Sequence, residues 1–240
     1  MAQLTFERVE KKYLLTPAQL DALRPALEQQ MQADQYGRHT ICNIYYDTPD
    51  YRLIRTSLQK PVYKEKLRLR SYGVPRPGDT VYAELKKKYR GVVYKRRTAV
   101  ELTRAERWLA GSAPGPEGQI AREIDYFQSL YHAGPAVFLA YDRVALFGRR
   151  DPELRLTLDR NIRWRTGFLH LSAGDRGAPL RVQGLYLMEV KLPAAMPLWL
   201  ARALDEVQAR PVSFSKYGCC YTEALCRGVR QEQEEFCYVG

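Results

Sequence analysis

The chain has 240 residues, 45% of them hydrophobic, which excludes a disordered segment and leaves room for a sizeable core. Its formal net charge is +11 and its pI near 9.5, so the expected partner is an anion: nucleic acid, an acidic membrane surface or a phosphate-rich ligand. No run approaches the roughly 18 apolar residues of a membrane span, and the opening MAQLTFERVEKKY lacks the apolar segment of a secretory signal.

In chain order, residues 4–15 read as a first strand. A helix follows from Thr16, a good N-cap, with Pro17 at its first position and Gln19 completing a capping box. Leu20, Leu23, Leu27 and Met31 supply its apolar stripe, with Pro25 inside it. Residues 39–47 form a strand ending at an Asp-Thr-Pro turn, and a short irregular stretch runs to about residue 60. Residues 63–73 and the two halves of VYAELKKKYRGVVYKRRTAVEL, 81–102, are strands, the last two joined by a turn at Gly91. Thr103 to Glu106 has the form of a capping box opening a helix. GSAPGPEG, 111–118, is a loop rather than a domain boundary. Residues 119–132 are helical, strands follow near 136–147, 153–165 and 183–192, and helices begin at Pro197 and near Ser215. RQEQEEF is a solvated charge run. About eight strands, mostly adjacent in sequence, with helices between and after them, predict an α+β fold with a largely antiparallel sheet in one domain, 1–240.

The strands share one peculiarity. Side chains alternate between the faces of a strand, and on strand after strand one face is charged. Lys64, Lys66, Arg68 and Arg70 alternate with Leu67 and Leu69. Glu84, Lys86 and Lys88 share a face, as do Lys95 and Arg97. Arg155, Thr157 and Asp159 alternate with leucines; Glu189 and Lys191 alternate with Met188, Val190 and Leu192; Glu10 pairs in parity with Lys12, and Arg143 with Tyr141. A half-exposed sheet with its charged face in water accounts for such alternation. A closed or nearly closed barrel with a polar lumen and external helices accounts better for the dominance of Lys and Arg, because a row of like charge repels itself unless something negative lies opposite. A triphosphate or longer phosphate chain suits such a lumen: guanidinium grips phosphate as a fork, lysine acts as a point charge, and a hard cation uses one or two carboxylates with phosphate oxygens.

Other signals are weaker. His39, His132 and His170 are scattered, with no metal-ligand spacing, and there is no phosphate-binding glycine loop. Cys42, Cys219, Cys220, Cys226 and Cys237 form no C-x-x-C pair and are odd in number, which predicts free thiols in a reducing cytoplasm. KKKYR and YKRR interleave aromatic and basic residues as single-strand nucleic-acid binders do.

FERVEKKYLL (6–15), IYYDTP (44–49), KEKLRLRSYG (64–73), YAELKKKYRGVVYKRR (82–97), YDRVALF (141–147), LRLTLDRNI (154–162), LMEVKLP (187–193) and FSKYG (214–218) occur in an order that resembles the VTC domain. This is the polyphosphate polymerase domain of the triphosphate tunnel metalloenzyme, or CYTH-like, superfamily. The resemblance implies an eight-stranded antiparallel β-barrel tunnel with a basic lumen, and ATP-dependent synthesis of inorganic polyphosphate with Mn²⁺ or Mg²⁺. By motif, Lys12, Arg68, Arg70, Lys86, Arg143, Arg155 and Lys216 would bind the phosphate chain, joined by the Ser215 hydroxyl. Arg68, Arg70, Arg143, Arg155 and Lys216 are the expected catalytic set. Lys66, Lys95, Arg97 and Lys191 share the charged parity and are added to the binding set. Glu189 would hold the metal, with Glu10 and Glu84 as further carboxylates. The expected partners are ATP and polyphosphate or tripolyphosphate, with no DNA, and a separately encoded membrane-protein partner stays open. The alternatives are a metal-dependent triphosphatase and a non-catalytic module binding polyphosphate or nucleic acid.

Overall fold

A computed structural model describes residues 9–90, 92–192 and 195–225. Chain order is β1 (Val9–Leu15), α1 (Pro17–Gln30), β2 (Met31–Asp47), α2 (Arg52–Leu58), β3 (Tyr63–Tyr72), β4 (Thr80–Tyr89), β5 (Val92–Glu101), α3 (Leu102–Leu109), α4 (Gln119–Tyr131), β6 (Gly134–Gly148), β7 (Arg155–Arg165), the two-residue β8 (Ala178–Pro179), β9 (Tyr186–Leu192), α5 (Leu198–Glu206) and α6 (Lys216–Cys220). The fold is α+β, and β1 with β9, β2 with β3, β3 with β4, β4 with β5, β7 with β8 and β7 with β9 all pair antiparallel.

The strands follow the order β1-β9-β7-β6-β2-β3-β4-β5, with β8 on β7. This corrects the expectation of a closed eight-stranded barrel: the order has two ends, and among the described residues no ladder joins β1 to β5. Alternation along a strand says which face is polar; closure depends on shear and tilt, which alternation does not encode. The chain divides into two compact units: residues 1–40, 141–162 and 182–214, and residues 41–140, 163–181 and 215–240. No helix among the described residues is long and apolar enough to cross a membrane.

In the first unit, α1 and α5 cover one face of β1, β9 and β7. Leu20, Leu23 and Leu27 of α1 and Leu200 and Leu204 of α5 join Tyr13, Leu15, Leu156, Met188 and Val190 in one core. The capping box at Thr16 forms as predicted: its hydroxyl accepts from Gln19 N, and Gln19 Oε1 accepts from Thr16 N. Met31 is buried as expected but begins β2 rather than ending α1, since its backbone is extended (φ −127, ψ 163). The strand predicted at 39–47 therefore starts at residue 31.

In the second unit, Ile44, Tyr46, Leu67, Leu69, Val81, Ala83 and Leu85 form the apolar sheet face, covered by Trp108 and Leu109 of α3 and by Ile124 and Phe127 of α4. β4 and β5 pair through Tyr89↔Val92; the turn residue Gly91 lies outside the described residues, as do residues 4–8, Cys226, Cys237 and the RQEQEEF run. Two local expectations change. The helix after β5 is capped by Glu101, whose carboxylate accepts from Thr103 N and Arg104 N at 2.8 Å, so Thr103 stands inside it. The stretch taken as irregular contains α2. Its cap is remote from its first residue: Asp47 accepts from Leu53 N and Ile54 N as well as from Thr48 N, a pattern with no short sequence signature.

Candidate functional site

The second unit carries the denser cation field. Register places Lys66, Lys86 and Lys95 directly opposite one another, Lys64 opposite Lys88, and Arg68 and Arg97 on either side of Glu84. Over residues 64–70, 82–88 and 93–97 this face holds Lys64, Lys66, Arg68, Arg70, Lys86, Lys88, Lys95 and Arg97 against one carboxylate, Glu84. Like charges directly opposite are destabilising, and no gain in packing explains eight of them. The reverse face is covered by helices, where Glu123 of α4 pairs with Arg96 and Lys87.

Glu84 anchors the field. It is 1% exposed, with Arg68 at 2.6 Å, Lys95 at 2.9 Å and Arg70 at 3.8 Å. Burial pushes its carboxyl up, but Arg68, Arg70 and Lys95 outweigh burial and bring it to about 2. Burial lowers the Lys95 ammonium to about 8 despite Glu84 beside it. Arg70 is buried and donates from Nε to Asn43 Oδ1 at 2.8 Å; Asn43 is itself tied to Leu139 O. Arg68 also donates to Tyr45 Oη at 3.1 Å. Burial raises the Tyr45 phenol, yet Arg68 and Arg70 bring it to about 8. Arg97 lies 4.9 Å from the Tyr82 ring and donates to Tyr72 Oη. Lys66 reaches Ser215 Oγ at 3.5 Å, and Ser215 caps α6, placing Lys216 as the first helical residue. Tyr217 of α6 stacks on Tyr45 and donates to Asp47, so one buried carboxylate holds both α2 and α6.

The first unit repeats the theme. Lys12 on β1 faces Glu189 on β9, which faces Thr157 on β7; Glu10 and Arg155 both lie opposite Lys191. Lys12 Nζ is 3.2 Å from both Glu10 and Glu189 and donates to Phe214 O. Arg143 makes a two-pronged bond to the fully buried Asp159, at 2.6 and 2.8 Å, lies 3.7 Å from Glu189, and covers the Tyr141 ring. Burial would lower this guanidinium; Tyr141, Asp159 and Glu189 more than reverse that and keep it charged. Arg155 is exposed and has no ion-pair partner among the described residues.

No group of three or more His, Cys, Asp and Glu side chains among the described residues could hold a metal by protein ligands alone. Glu10 and Glu189 nevertheless converge on Lys12, and the Thr157 hydroxyl opposite Glu189 is buried with no hydrogen-bond partner among the described residues. That donor set fits a hard cation whose other ligands are phosphate oxygens and water. Both oxygens of Glu84 face cations of the protein, as both oxygens of Glu189 do.

Each unit therefore gathers its own predicted strand residues on one sheet face, and in the second unit Ser215 and Lys216 stand at the start of α6. Asn43, Tyr45 and Asp159 escaped the sequence reading of the site. All three have the parity of the charged rows, but two are uncharged, and Asp159 is opposite in charge to the Lys and Arg that mark those rows.

The VTC domain family matches residues 7–224 of this sequence. No curated protein matches it. Among solved structures, a provisionally assigned adenylate cyclase from Bacillus halodurans is similar at 14% identity and a TM-score of 0.54, over 87% of this chain and 95% of that one. A provisionally assigned adenylyl cyclase from Hippeastrum, described as having a dominant triphosphatase activity, shares 18% identity over 90% of this chain and 96% of its own, at a TM-score of 0.48.

Proposed function

Since the chain belongs to the VTC domain family, we propose that it is a phosphoryl-transfer enzyme that lengthens inorganic polyphosphate with ATP as donor, acting through one tunnel-type domain. The observation that carries this is the row of eight cations around one buried carboxylate on β3, β4 and β5. Such a face is self-repelling alone and neutralised by a linear polyanion.

Arg68 and Arg70 are already fixed by Glu84 and Asn43, so they lose little side-chain freedom on gripping phosphate. Lys66, Lys86, Lys95 and Arg97 extend the grip along the strands, with Ser215 and Lys216 at the start of α6. In the first unit, Arg143 is oriented by Asp159, while Lys12, Arg155 and Lys191 supply further charge. Glu189 and Glu10 would hold Mn²⁺ or Mg²⁺, which neutralises phosphoryl oxygens when bound. The terminal oxygen of the growing chain is already ionised and needs no side-chain base. It bonds to the γ-phosphorus as the bond to the β–γ bridging oxygen breaks and ADP leaves. The guanidinium and ammonium groups stabilise charge on the equatorial oxygens.

Triphosphate hydrolysis is the second reading, because the same cations would hold a triphosphate. It requires a carboxylate to orient water. Glu84, brought to about 2 and ringed by cations, is a poor base, which leaves the exposed Glu10.

The test is incubation with ATP and Mn²⁺, followed by electrophoresis of the products. A ladder of long phosphate polymers is expected. Orthophosphate alone would replace the polymerase with the hydrolase; neither product, together with RNA binding that tripolyphosphate fails to displace, would overturn both.

A further inference from the structure

The first unit has a concave feature on the reverse side of the strands that carry Arg143 and Arg155. Along β7, Leu158 and Arg160 alternate with Thr157 and Asp159; along β6, Asp142, Val144 and Leu146 alternate with Tyr141 and Arg143. The residues turned away from the cation cluster line a cavity of about 370 Å³ beneath α1. Its floor is aliphatic: Leu20, Leu27, Met31, Val144, Leu146 and Leu158. That volume is within the roughly 300–1,000 Å³ of small-molecule sites.

Its polar lining is asymmetric. Arg24 is paired with Asp21, and Asp142 accepts from Thr40 and Asn161. Arg38, Arg149 and Arg160 line the cavity with no ion-pair partner among the described residues. Arg38 and Arg149 are exposed, as surface arginines commonly are; Arg160 is not. Its Nε is buried and has no hydrogen-bond partner among the described residues. A half-buried guanidinium beside an apolar floor, with no counter-charge among the described residues, is a favourable seat for an anion.

We propose that this cavity binds a small monoanionic amphiphile, an aliphatic carboxylate of the fatty-acid class, with its head on Arg160 and its tail on the leucine floor. A carboxylate matches the guanidinium fork. The carboxylates of Glu28 and Asp142 in the same lining disfavour a dianion such as an alkyl phosphate. The proposal is independent of the phosphate chemistry assigned to the opposite face.

The test is isothermal titration of the full chain with octanoate, hexanoate, 1-octanol and inorganic phosphate. Octanoate is expected to saturate at one per chain. Hexanoate, two methylenes shorter, should bind about fifteenfold more weakly, since each buried methylene contributes about 0.8 kcal/mol, close to fourfold. The uncharged 1-octanol should also bind at least tenfold more weakly, and inorganic phosphate should not compete. Arg160→Gln should weaken octanoate at least tenfold while leaving tripolyphosphate binding and the unfolding temperature unchanged. Absence of saturable octanoate binding, equal affinity for 1-octanol, or octanoate affinity unchanged in Arg160→Gln would each overturn the proposal. The ligand series on the unaltered chain decides the matter even if the variant fails to fold.

Discussion

Glu84→Gln removes one charge and almost no volume, so its effect isolates the electrostatics of the cation face. Glu84 is 1% exposed and has Arg68, Lys95 and Arg70 around it at 2.6, 2.9 and 3.8 Å. In the folded chain its carboxyl lies at about 2 rather than the ordinary 4.5. At about 1.4 kcal/mol per tenfold change, that gap is worth about 3 kcal/mol of stability at neutral pH. Because the folded value is depressed, this contribution is present above about pH 4.5 and is lost as pH falls toward 2. Removing one partner of a buried ion pair costs about 3–5 kcal/mol by direct comparison, which agrees. For a chain of this size the expected fall in Tm is roughly 6–12 °C at pH 7. The three cations left behind should then be stabilised by an external polyanion, so tripolyphosphate should raise the variant's Tm more than that of the parent. Thermal unfolding followed by circular dichroism, with and without tripolyphosphate, measures both effects. A variant with the parent's Tm at pH 7 would refute the role of Glu84 as counter-charge of this face.

Arg155→Ala should leave stability within about 0.5 kcal/mol, because the side chain is exposed and unpaired among the described residues, while phosphate-chain binding and turnover fall sharply; denaturant titration alongside an activity assay separates the two. Arg143→Ala should instead destabilise by about 3–5 kcal/mol, since it strands the fully buried Asp159, and urea unfolding reads this directly. Lys86→Glu breaks the Lys66–Lys86–Lys95 row and should stabilise by about 0.2–1 kcal/mol while weakening tripolyphosphate binding, measured by calorimetry at two salt concentrations. Glu189→Gln should shift the Mn²⁺ titration of activity to higher concentration; an identical titration curve would remove Glu189 from the metal set.

Much of the candidate site's placement was legible because the period of two survives any tertiary arrangement. Lys66, Lys86 and Lys95 share a face whenever β3, β4 and β5 are strands in this register, and their charge marks that face. Tyr45 and Asn43 obey the same period but carry no charge to draw attention. Asp47 holds α2 and α6 through bonds to Leu53, Ile54 and Tyr217, partners up to 170 residues away, and no local pattern announces such a bond. Arg68 and Arg155 look equivalent in the sequence. The structure separates them: one is clamped to a buried carboxylate and carries stability, the other stands in solvent.

Taken alone, the amino-acid order determined most strands and helices, the face each long strand charges, the capping box at Thr16, and the kinship with the VTC domain family. These depend on short periods and on residue types at neighbouring positions. Tertiary structure alone decided which carboxylate balances which cation, that the sheet order has two ends, and that an aliphatic cavity lined by Arg160 lies behind β6 and β7. Those features depend on distances between residues far apart in the chain, and such distances exist only once the backbone has closed them.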